Sequence, residues 1–305
     1  MTSEVLITGA SGFLGRHVAR AFAEEGHRVV GLGRAPWTES EWRAWGLSGW
    51  LCAEVNLETL RAIAEAPEFI VPCAGSGSVG FSFKSPLADF EATVGTLGST
   101  LEYMRLCAPE ARLVYPSSAA VYGQVEQLPI RENTPFRPMS PYGSHKLMAE
   151  QLCRSYAQHF GLRVALVRFF SLYGPGLRKQ LLWDACVKFA HGEASFLGTG
   201  QEARDWVHVT DGAQLLKVAA AHADVHCRVV NGASEVGTTV LEALTLLRTA
   251  FPGAPPLAFT REAKVGDPSA YRGDGSQARA WGWAPSIDIE EGVAEYAAWF
   301  RREHP

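Results

Sequence analysis

The stretch Val5-Leu6-Ile7-Thr8-Gly9-Ala10-Ser11-Gly12-Phe13-Leu14-Gly15 contains the pattern that decides the fold. Its first four residues form a short run rich in β-forming side chains, and residues 16–25 form an amphipathic stretch with helical spacing. Three glycines therefore lie between a predicted strand and a predicted helix. Because the first backbone N–H groups of a helix have no partner within it, such a turn is suited to hold a phosphate group.

The glycine spacing is GxxGxxG, which differs from the commoner GxGxxG of dinucleotide-binding turns. The position between strand and helix still favours a dinucleotide over the alternative, a tight structural turn. The predicted second strand is followed by Gly33-Arg34, where sites that prefer NAD usually have an acidic residue. A guanidinium would bind a 2′-phosphate, so Arg34 favours NADP, with NAD as the alternative. The expected cofactor contacts in this region are Gly9, Ser11, Gly12, Phe13, Leu14, Gly15 and Arg34.

Predicted strands and helices alternate beyond this first unit. Further strands are expected near residues 49–53, 68–73, 112–116 and 163–169, and helices near 57–65, 87–107 and 141–160. This alternation predicts an α/β fold with a Rossmann-type doubly wound parallel sheet. After residue 170, turns rich in Gly and Pro separate short elements. We predict a dinucleotide-binding domain over residues 1–170 and a smaller α/β substrate-binding lobe over 171–305, partly interleaved with it.

The composition excludes several classes of protein. The 305 residues carry 28 Lys and Arg against 32 Asp and Glu, a net charge of −4, which gives no field to attract nucleic acid or an anionic membrane. The six cysteines include no CxxC pair and no histidine at metal-ligand spacing, so no metal site is expected. Neither a signal peptide nor a membrane-spanning run is recognisable, and we expect a cytoplasmic protein.

A candidate acid–base site lies in the middle of the chain. Tyr142 precedes Lys146 by four residues on a predicted helix, which places both side chains on one face. The predicted strand upstream ends at Ser117-Ser118. A carbinol or ketone oxygen held by Ser118 and Tyr142, with the Lys146 ammonium lowering the phenol pKa toward neutrality, would serve hydride transfer. The structural alternatives are a strand-end cap and a surface tyrosine.

Five segments in order, residues 9–15, 117–123, 142–146, 168–176 and 204–211, resemble the extended short-chain dehydrogenase/reductase family. Within it the sequence is most similar to the NAD-dependent epimerase/dehydratase branch, which modifies nucleotide sugars. The resemblance implies that Tyr142 is the general acid–base, that Lys146 binds the nicotinamide ribose and tunes Tyr142, and that Ser118 hydrogen-bonds the reacting oxygen. It also implies a homodimer formed through paired helices. Further contacts implied by it are Ala74 with the cofactor and Ser118, Ser171, Arg178, Arg204 and Tyr271 with the sugar nucleotide.

The sequence motifs indicate the family more specifically than they indicate the reaction. Dehydratases that resemble this branch have an acidic pair where Ala119 and Ala120 stand, which argues against dehydration. Because Arg34 favours NADPH, we first predict a reductase of the C4 keto group of a GDP- or dTDP-linked 4-keto-6-deoxy sugar. The alternative is a 4-epimerase of the UDP-glucose or UDP-uronate type with retained NAD. A non-catalytic NADP sensor would not need Ser118, Tyr142 and Lys146.

Two further residues near this site, Cys73 and His145, are not assigned a catalytic role from the sequence. Cys73, near the expected nicotinamide position, is either a small core residue or a participant in the reaction. His145 is expected to be exposed on another face of the helix that carries Tyr142.

Overall fold

The computed structural model describes residues 3–262 and 269–304, whose strands alternate with helices along most of the chain. The strands are β1 (Glu4–Thr8), β2 (Arg28–Gly33), β3 (Leu47–Cys52), β4 (Phe69–Pro72), β5 (Arg112–Ser118), β6 (Arg163–Phe169), β7 (Ser171–Tyr173), β8 (Ser195–Phe196), β9 (Ala203–His208), β10 (Arg228–Gly232), β11 (Gly237–Thr239) and β12 (Ala258–Phe259). The helices are α1 (Phe13–Ala23), α2 (Glu39–Ala44), α3 (Leu57–Ile63), α4 (Val79–Lys84), α5 (Pro86–Phe90), α6 (Thr96–Cys107), α7 (Pro141–Phe160), α8 (Gln180–Ala190), α9 (Val209–Ala221), α10 (Val240–Thr249), α11 (Ser276–Ala280) and α12 (Ile289–Glu303).

A seven-stranded parallel sheet in the order β10-β6-β5-β4-β1-β2-β3 forms the centre of the fold. The chain builds β1, β2 and β3 toward one edge and β4, β5 and β6 toward the other. A crevice therefore opens between the carboxyl ends of β1 and β4, which is where open α/β sheets bind ligands. The predicted Rossmann-type α/β fold is confirmed.

Apolar side chains cover both faces of this sheet, as a parallel sheet requires. One cluster packs α1 and α9 against the sheet and includes Val18, Phe22 and Leu216. The other cluster lies beneath α3, α6 and α7 on the opposite face. The inner strands are buried on both sides and read as apolar runs, so local sequence was sufficient to predict them, whereas the edge strand β10 was not among the predicted strands.

The chain after residue 170 builds a second group of elements. A three-stranded sheet, β11-β9-β7, and helices α8, α10 and α12 surround a separate apolar cluster that includes Leu182, Phe189 and Phe300. Strand β10 and helix α9 also come from this part of the chain, yet β10 pairs with β6 at the edge of the first sheet and α9 packs on the face of that sheet. The boundary at residue 170 is thus crossed by the sheet, and the two-part division stays a prediction.

Some elements differ from their predicted bounds. Helix α1 begins at Phe13, because Gly12 has extended backbone angles at its N-cap and the end of the glycine turn forms the first helical turn. The predicted helix over residues 87–107 consists of α5, a π-helical turn at Glu91–Gly95, and α6. Among the described residues, no helix combines the length and the apolar character needed to cross a membrane.

Candidate functional site

The glycine turn joins β1 to α1 at the crevice. Gly9 has a φ of +67°, and a Cβ on it would lie 2.5 Å from the backbone nitrogen of Ala74, in the loop after β4. A Cβ on Gly15 would lie 2.3 Å from the Gly9 oxygen. These two glycines therefore allow the turn to close on itself and on the neighbouring loop. Arg16 Nη2 adds a hydrogen bond of 2.5 Å to the Ser11 oxygen.

Gly12 has a different surrounding from the other two glycines. It is exposed at the start of α1, and within the described chain neither a side-chain cap nor an acidic residue occupies the first turn of this helix. The uncapped N–H groups and the positive end of the helix dipole fit the pyrophosphate of a dinucleotide. Ser11, Phe13 and Leu14 lie beside it and are half-buried.

Replacing Gly15 and Gly12 separately with alanine is expected to affect different properties. Gly15→Ala places a methyl group against backbone and should lower the free energy of unfolding by about 1–3 kcal/mol. Gly12→Ala meets only the Gly9 oxygen, at 3.0 Å, and should cost less than about 1 kcal/mol while weakening dinucleotide binding. Urea unfolding and calorimetric NAD titration of both variants check this. Unchanged NAD affinity in Gly12→Ala would contradict the assignment of the turn.

The Ser118–Tyr142–Lys146 group forms where α7 meets the end of β5. Ser140 caps α7 by accepting a hydrogen bond of 3.1 Å from the Gly143 nitrogen. A Cβ on Gly143 would lie 2.6 Å from the Ala120 oxygen, so glycine allows the first turn of α7 to pack directly on the turn that follows Ser118. As a result Ser118 and Tyr142 are hydrogen-bonded to each other. The structure brings together the three residues that the sequence predicted.

Lys146 is held by hydrogen bonds to strand β5 of the central sheet. Its Nζ donates to the Tyr115 hydroxyl at 3.1 Å and to the Pro116 oxygen at 2.9 Å, and it lies 6.0 Å from the centre of the Tyr142 ring. Burial lowers the pKa of Lys146 to about 8, so the ammonium is still the main form at pH 7. Burial raises the pKa of Tyr142, and the hydrogen bond with Ser118 only opposes that increase. The predicted fall of the phenol pKa toward neutrality is therefore not produced by these protein groups.

Cys73 lies near Lys146, and burial raises the pKa of its thiol to about 12. The thiol is thus protonated at neutral pH and is a poor nucleophile. Of the two interpretations given to Cys73, the structure favours the small core residue.

Arg34 lies at the rim of the crevice and is 76% exposed in its side chain. Its Nη1 is 3.8 Å from the carboxylate of Glu54, which comes just after β3. Glu54 was not recognised from the sequence, because it follows β3 and no local pattern relates it to Arg34. Because this carboxylate stands beside Arg34, it would oppose a 2′-phosphate there, and Arg34 alone is a weak argument for NADP.

The predicted substrate contacts have different surroundings. Arg204, on β9, is buried, and its Nη1 donates to the Ala203 oxygen at 2.8 Å. Ser171 is half-buried at the start of β7, paired with Trp206. Arg178 is exposed, and its guanidinium pairs with Glu303 of α12. In this structure Arg178 pairs with α12, and its role as a substrate contact stays a prediction.

Tyr271 belongs to the wall behind Ser118. Its hydroxyl donates to the Ala119 oxygen at 3.2 Å and the Gly123 oxygen at 2.9 Å, and the side chain is buried. These bonds hold Tyr271 against the turn that follows Ser118, and its contact with substrate stays a prediction. Residues 263–268, which precede it in the chain, lie outside the described residues.

The prediction that His145 is exposed is wrong. Its side chain is 12% exposed, and its Nδ1 lies 2.6 Å from Oδ2 of Asp89 on α5. Asp89 was not recognised from the sequence, because 56 residues separate it from His145 and neither residue belongs to a recognisable pair.

Comparison with known proteins decides the family. Residues 5–232 match the model of the NAD dependent epimerase/dehydratase family, and this span is well over half of the chain. The chain belongs to the NAD dependent epimerase/dehydratase family. The family identifies the protein as an enzyme of the short-chain dehydrogenase/reductase type, as the sequence predicted.

Known proteins match this chain over nearly the full length of both partners. The chain is 29% identical to a probable UDP-glucuronate 4-epimerase of Rhizobium meliloti (strain 1021), over 98% of both proteins. It is 27% identical to MoeE5, solved with UDP-glucuronic acid and NAD, with a TM-score of 0.87 over 98% of this chain and 99% of that one. A UDP-glucose 4-epimerase structure from Thermotoga maritima has the same fold, with 23% identity, a TM-score of 0.89, and coverage of 99% and 100%.

These relatives support the second function predicted from the sequence better than the first. The activity named for the Rhizobium relative is 4-epimerisation of a UDP-sugar, and the MoeE5 structure contains UDP-glucuronic acid and NAD. The 4-keto reductase interpretation rested on Arg34 and finds no support among them.

Proposed function

We propose that this family member is a UDP-sugar 4-epimerase that retains NAD. The observation that carries the proposal is the hydrogen-bonded Ser118–Tyr142 pair, with the Lys146 ammonium beside it, in the same crevice as an uncapped glycine turn. The full-length similarity to UDP-sugar 4-epimerases supports the choice of reaction.

In the proposed reaction Tyr142 moves the proton of the sugar C4 hydroxyl. Ser118 hydrogen-bonds the same oxygen and keeps it in line with the phenol, and Lys146 stabilises the phenolate by its positive charge. When bound, NAD supplies reversible acceptance of hydride from C4. After the keto sugar turns over in the pocket, Tyr142 returns the proton to the C4 oxygen, so the reaction has no net change in redox state. Ala119 and Ala120 provide no second acid or base for elimination of water.

NAD is proposed instead of the NADP favoured from the sequence. The supporting observation is the Glu54 carboxylate beside Arg34 at the rim of the crevice. An acidic residue there accepts hydrogen bonds from ribose hydroxyls and repels a 2′-phosphate. Gly9, Gly12, Gly15 and Ala74 are the proposed contacts with the rest of the cofactor.

The sugar is proposed as UDP-glucose or UDP-glucuronate, since MoeE5 has been solved with each of them together with NAD. Arg204 is the proposed ligand of the diphosphate, because it is a buried cation on the strand beside Ser171. A guanidinium can contact two phosphate oxygens at once.

The test is to purify the protein, identify what remains bound, and follow its reaction with each sugar nucleotide. We expect NAD near one per chain, and conversion of UDP-glucose or UDP-glucuronate to its C4 epimer without consumption of added cofactor. An empty protein that oxidises NADPH with a GDP- or dTDP-linked 4-keto-6-deoxy sugar would instead establish the reductase. Comparing the two UDP-sugars at equal concentration identifies the preferred substrate.

A homodimer formed through α5 and α7 is also part of the proposal. Large apolar side chains on these two packed helices are exposed, among them Leu87 and Met148. Apolar side chains exposed on neighbouring helices are typical of a surface that is covered in an assembly. Light scattering should give twice the mass of the chain, and a monomer would contradict this part. The cytoplasmic location stays a prediction.

A further inference from the structure

Asp89 and His145 form a buried pair next to the Ser118–Tyr142–Lys146 group. Asp89 lies on α5 and is 0% exposed, and its Oδ2 is 2.6 Å from Nδ1 of His145 on α7. His145 comes one helical turn after Tyr142 and directly before Lys146. The pair therefore joins α5 to the turn of α7 that carries both side chains.

Burying the Asp89 carboxylate costs free energy that an apolar contact between the two helices would not cost. Oδ1 of Asp89 is buried and has no hydrogen-bond partner in the described part of the chain. The His145 ring packs edge to face on Phe90, with 5.6 Å between ring centres, so apolar contact between the two helices is already present. Because an apolar pair would join α5 and α7 without burying a carboxylate, the polar pair points to a role in the site.

We propose that Asp89 and His145 are positioning residues for Tyr142 and Lys146. The carboxylate fixes the imidazole, and the imidazole anchors the first two turns of α7 against α5. Both residues act through α7 and through the charge of Asp89, without contact with the reacting atoms. The inference rests on the proposed function, in which Tyr142 transfers the proton.

The charges around the two positioned residues explain why Asp89 should influence proton transfer. Lys146 is faced by Asp89 from α5, by Cys73 from the loop after β4, by Tyr115 from β5, and by Glu150 and Cys153 from α7. Burial raises the pKa of both thiols and of the Tyr115 phenol, so these three groups are neutral at pH 7.

The remaining two facing groups are carboxylates with different partners. Glu150 is paired with the guanidinium of Arg168 at 2.7 Å, which offsets its charge. The partner of the Asp89 carboxylate among the described residues is the His145 imidazole. Beyond the larger effect of burial, Asp89 also raises the pKa of Tyr142, whereas the Ser118 hydroxyl lowers it.

The experiment compares Asp89→Asn, His145→Asn and His145→Ala with the wild-type protein, and uses His159→Asn, an exposed histidine of the same helix, as the control. Two quantities are measured: the pH profile of kcat for the UDP-sugar, and the tyrosinate absorbance titration of each protein after subtraction of its Tyr142→Phe version. The second measurement needs no substrate and no cofactor.

Loss of the negative charge favours the phenolate. Asp89→Asn should therefore move the acidic limb of the profile and the Tyr142 titration to lower pH by roughly 0.5–1 unit, below the 1–3 units of a charge in direct contact. His145→Asn keeps an N–H donor toward Asp89 and should retain kcat, whereas His145→Ala should lower kcat on the order of 10-fold to 10²-fold by releasing α7. His159→Asn should match the wild type in both measurements.

Superimposable pH profiles and titrations for Asp89→Asn and the wild type would overturn the proposal, since a purely structural pair moves neither. If Asp89→Asn does not fold, the two His145 variants decide, and equal kcat values for them would overturn it as well. If the wild type lacks epimerase activity, the proposed function fails, while the titration still tests the pair.

Discussion

Replacing Tyr142 with phenylalanine is expected to lower kcat by about 10²–10⁴-fold, the usual contribution of a positioned acid–base group. The substitution removes one hydroxyl and keeps the ring that lies 6.0 Å from Lys146 Nζ. Because the Ser140 hydroxyl caps the Gly143 nitrogen and Gly143 packs on the Ala120 backbone, the start of α7 does not depend on the Tyr142 hydroxyl and the helix should not move. Initial rates of epimerisation, melting temperature and bound NAD are measured on the same preparation.

Tyr156→Phe is the matched control for this prediction. Tyr156 lies on the same helix, and its hydroxyl bonds a Glu102 carboxylate at 3.2 Å, away from Ser118. We expect wild-type rates for it, together with NAD retention by both variants. Full activity in Tyr142→Phe would exclude Tyr142 as the proton-transfer group and leave the proposed mechanism without its central residue.

Replacing Arg168 with methionine is expected to lower the free energy of unfolding by about 3–5 kcal/mol, because the buried carboxylate of Glu150 loses its close cation and keeps the more distant Arg154 guanidinium at 4.0 Å. Both side chains are fully buried. Nε and Nη2 of Arg168 bind the two oxygens of Glu150 at 2.9 and 2.7 Å, and Nη1 binds the Tyr122 hydroxyl at 2.9 Å. Urea unfolding followed by circular dichroism gives the free energy.

A double variant separates lost pairing from lost packing. Arg168→Met combined with Glu150→Leu removes both charges and should recover part of the stability, since well-packed apolar groups can replace a buried ion pair. Arg43→Met, which breaks the exposed pair with Glu39, should change the stability little. If Arg168→Met alone were as stable as the wild type, the buried pair would not be a stabilising element.

This network also adjoins the site. The Ser117 hydroxyl donates to Glu150 Oε1 at 2.7 Å, so the pair holds the end of β5 directly before Ser118. Variants of Arg168 that still fold should therefore lose activity as well as stability.

Local sequence determined the elements whose boundaries depend on residues close together in the chain. The helix Pro141–Phe160 was predicted with its observed bounds, because Ser140 caps its start and Gly161, with a φ of +69°, ends it. The glycine turn and the four-residue spacing of Tyr142 and Lys146 are local in the same sense. Interactions that span at most a helical turn leave a readable pattern in the sequence.

Tertiary structure alone decided the contacts between distant segments. The order of the strands places Glu54, after β3, beside Arg34, after β2, and this pairing weakens the sequence argument for NADP and for a reductase. The packing of α5 on α7 brings Asp89 to His145, and the position of α12 brings Glu303 to Arg178. Such pairs depend on sheet order and helix packing, in which residues far apart in the chain become neighbours. The sequence by itself therefore determined the family and predicted the Ser118–Tyr142–Lys146 group, whereas the three-dimensional packing decided which side chains surround that group and which carboxylate stands beside Arg34.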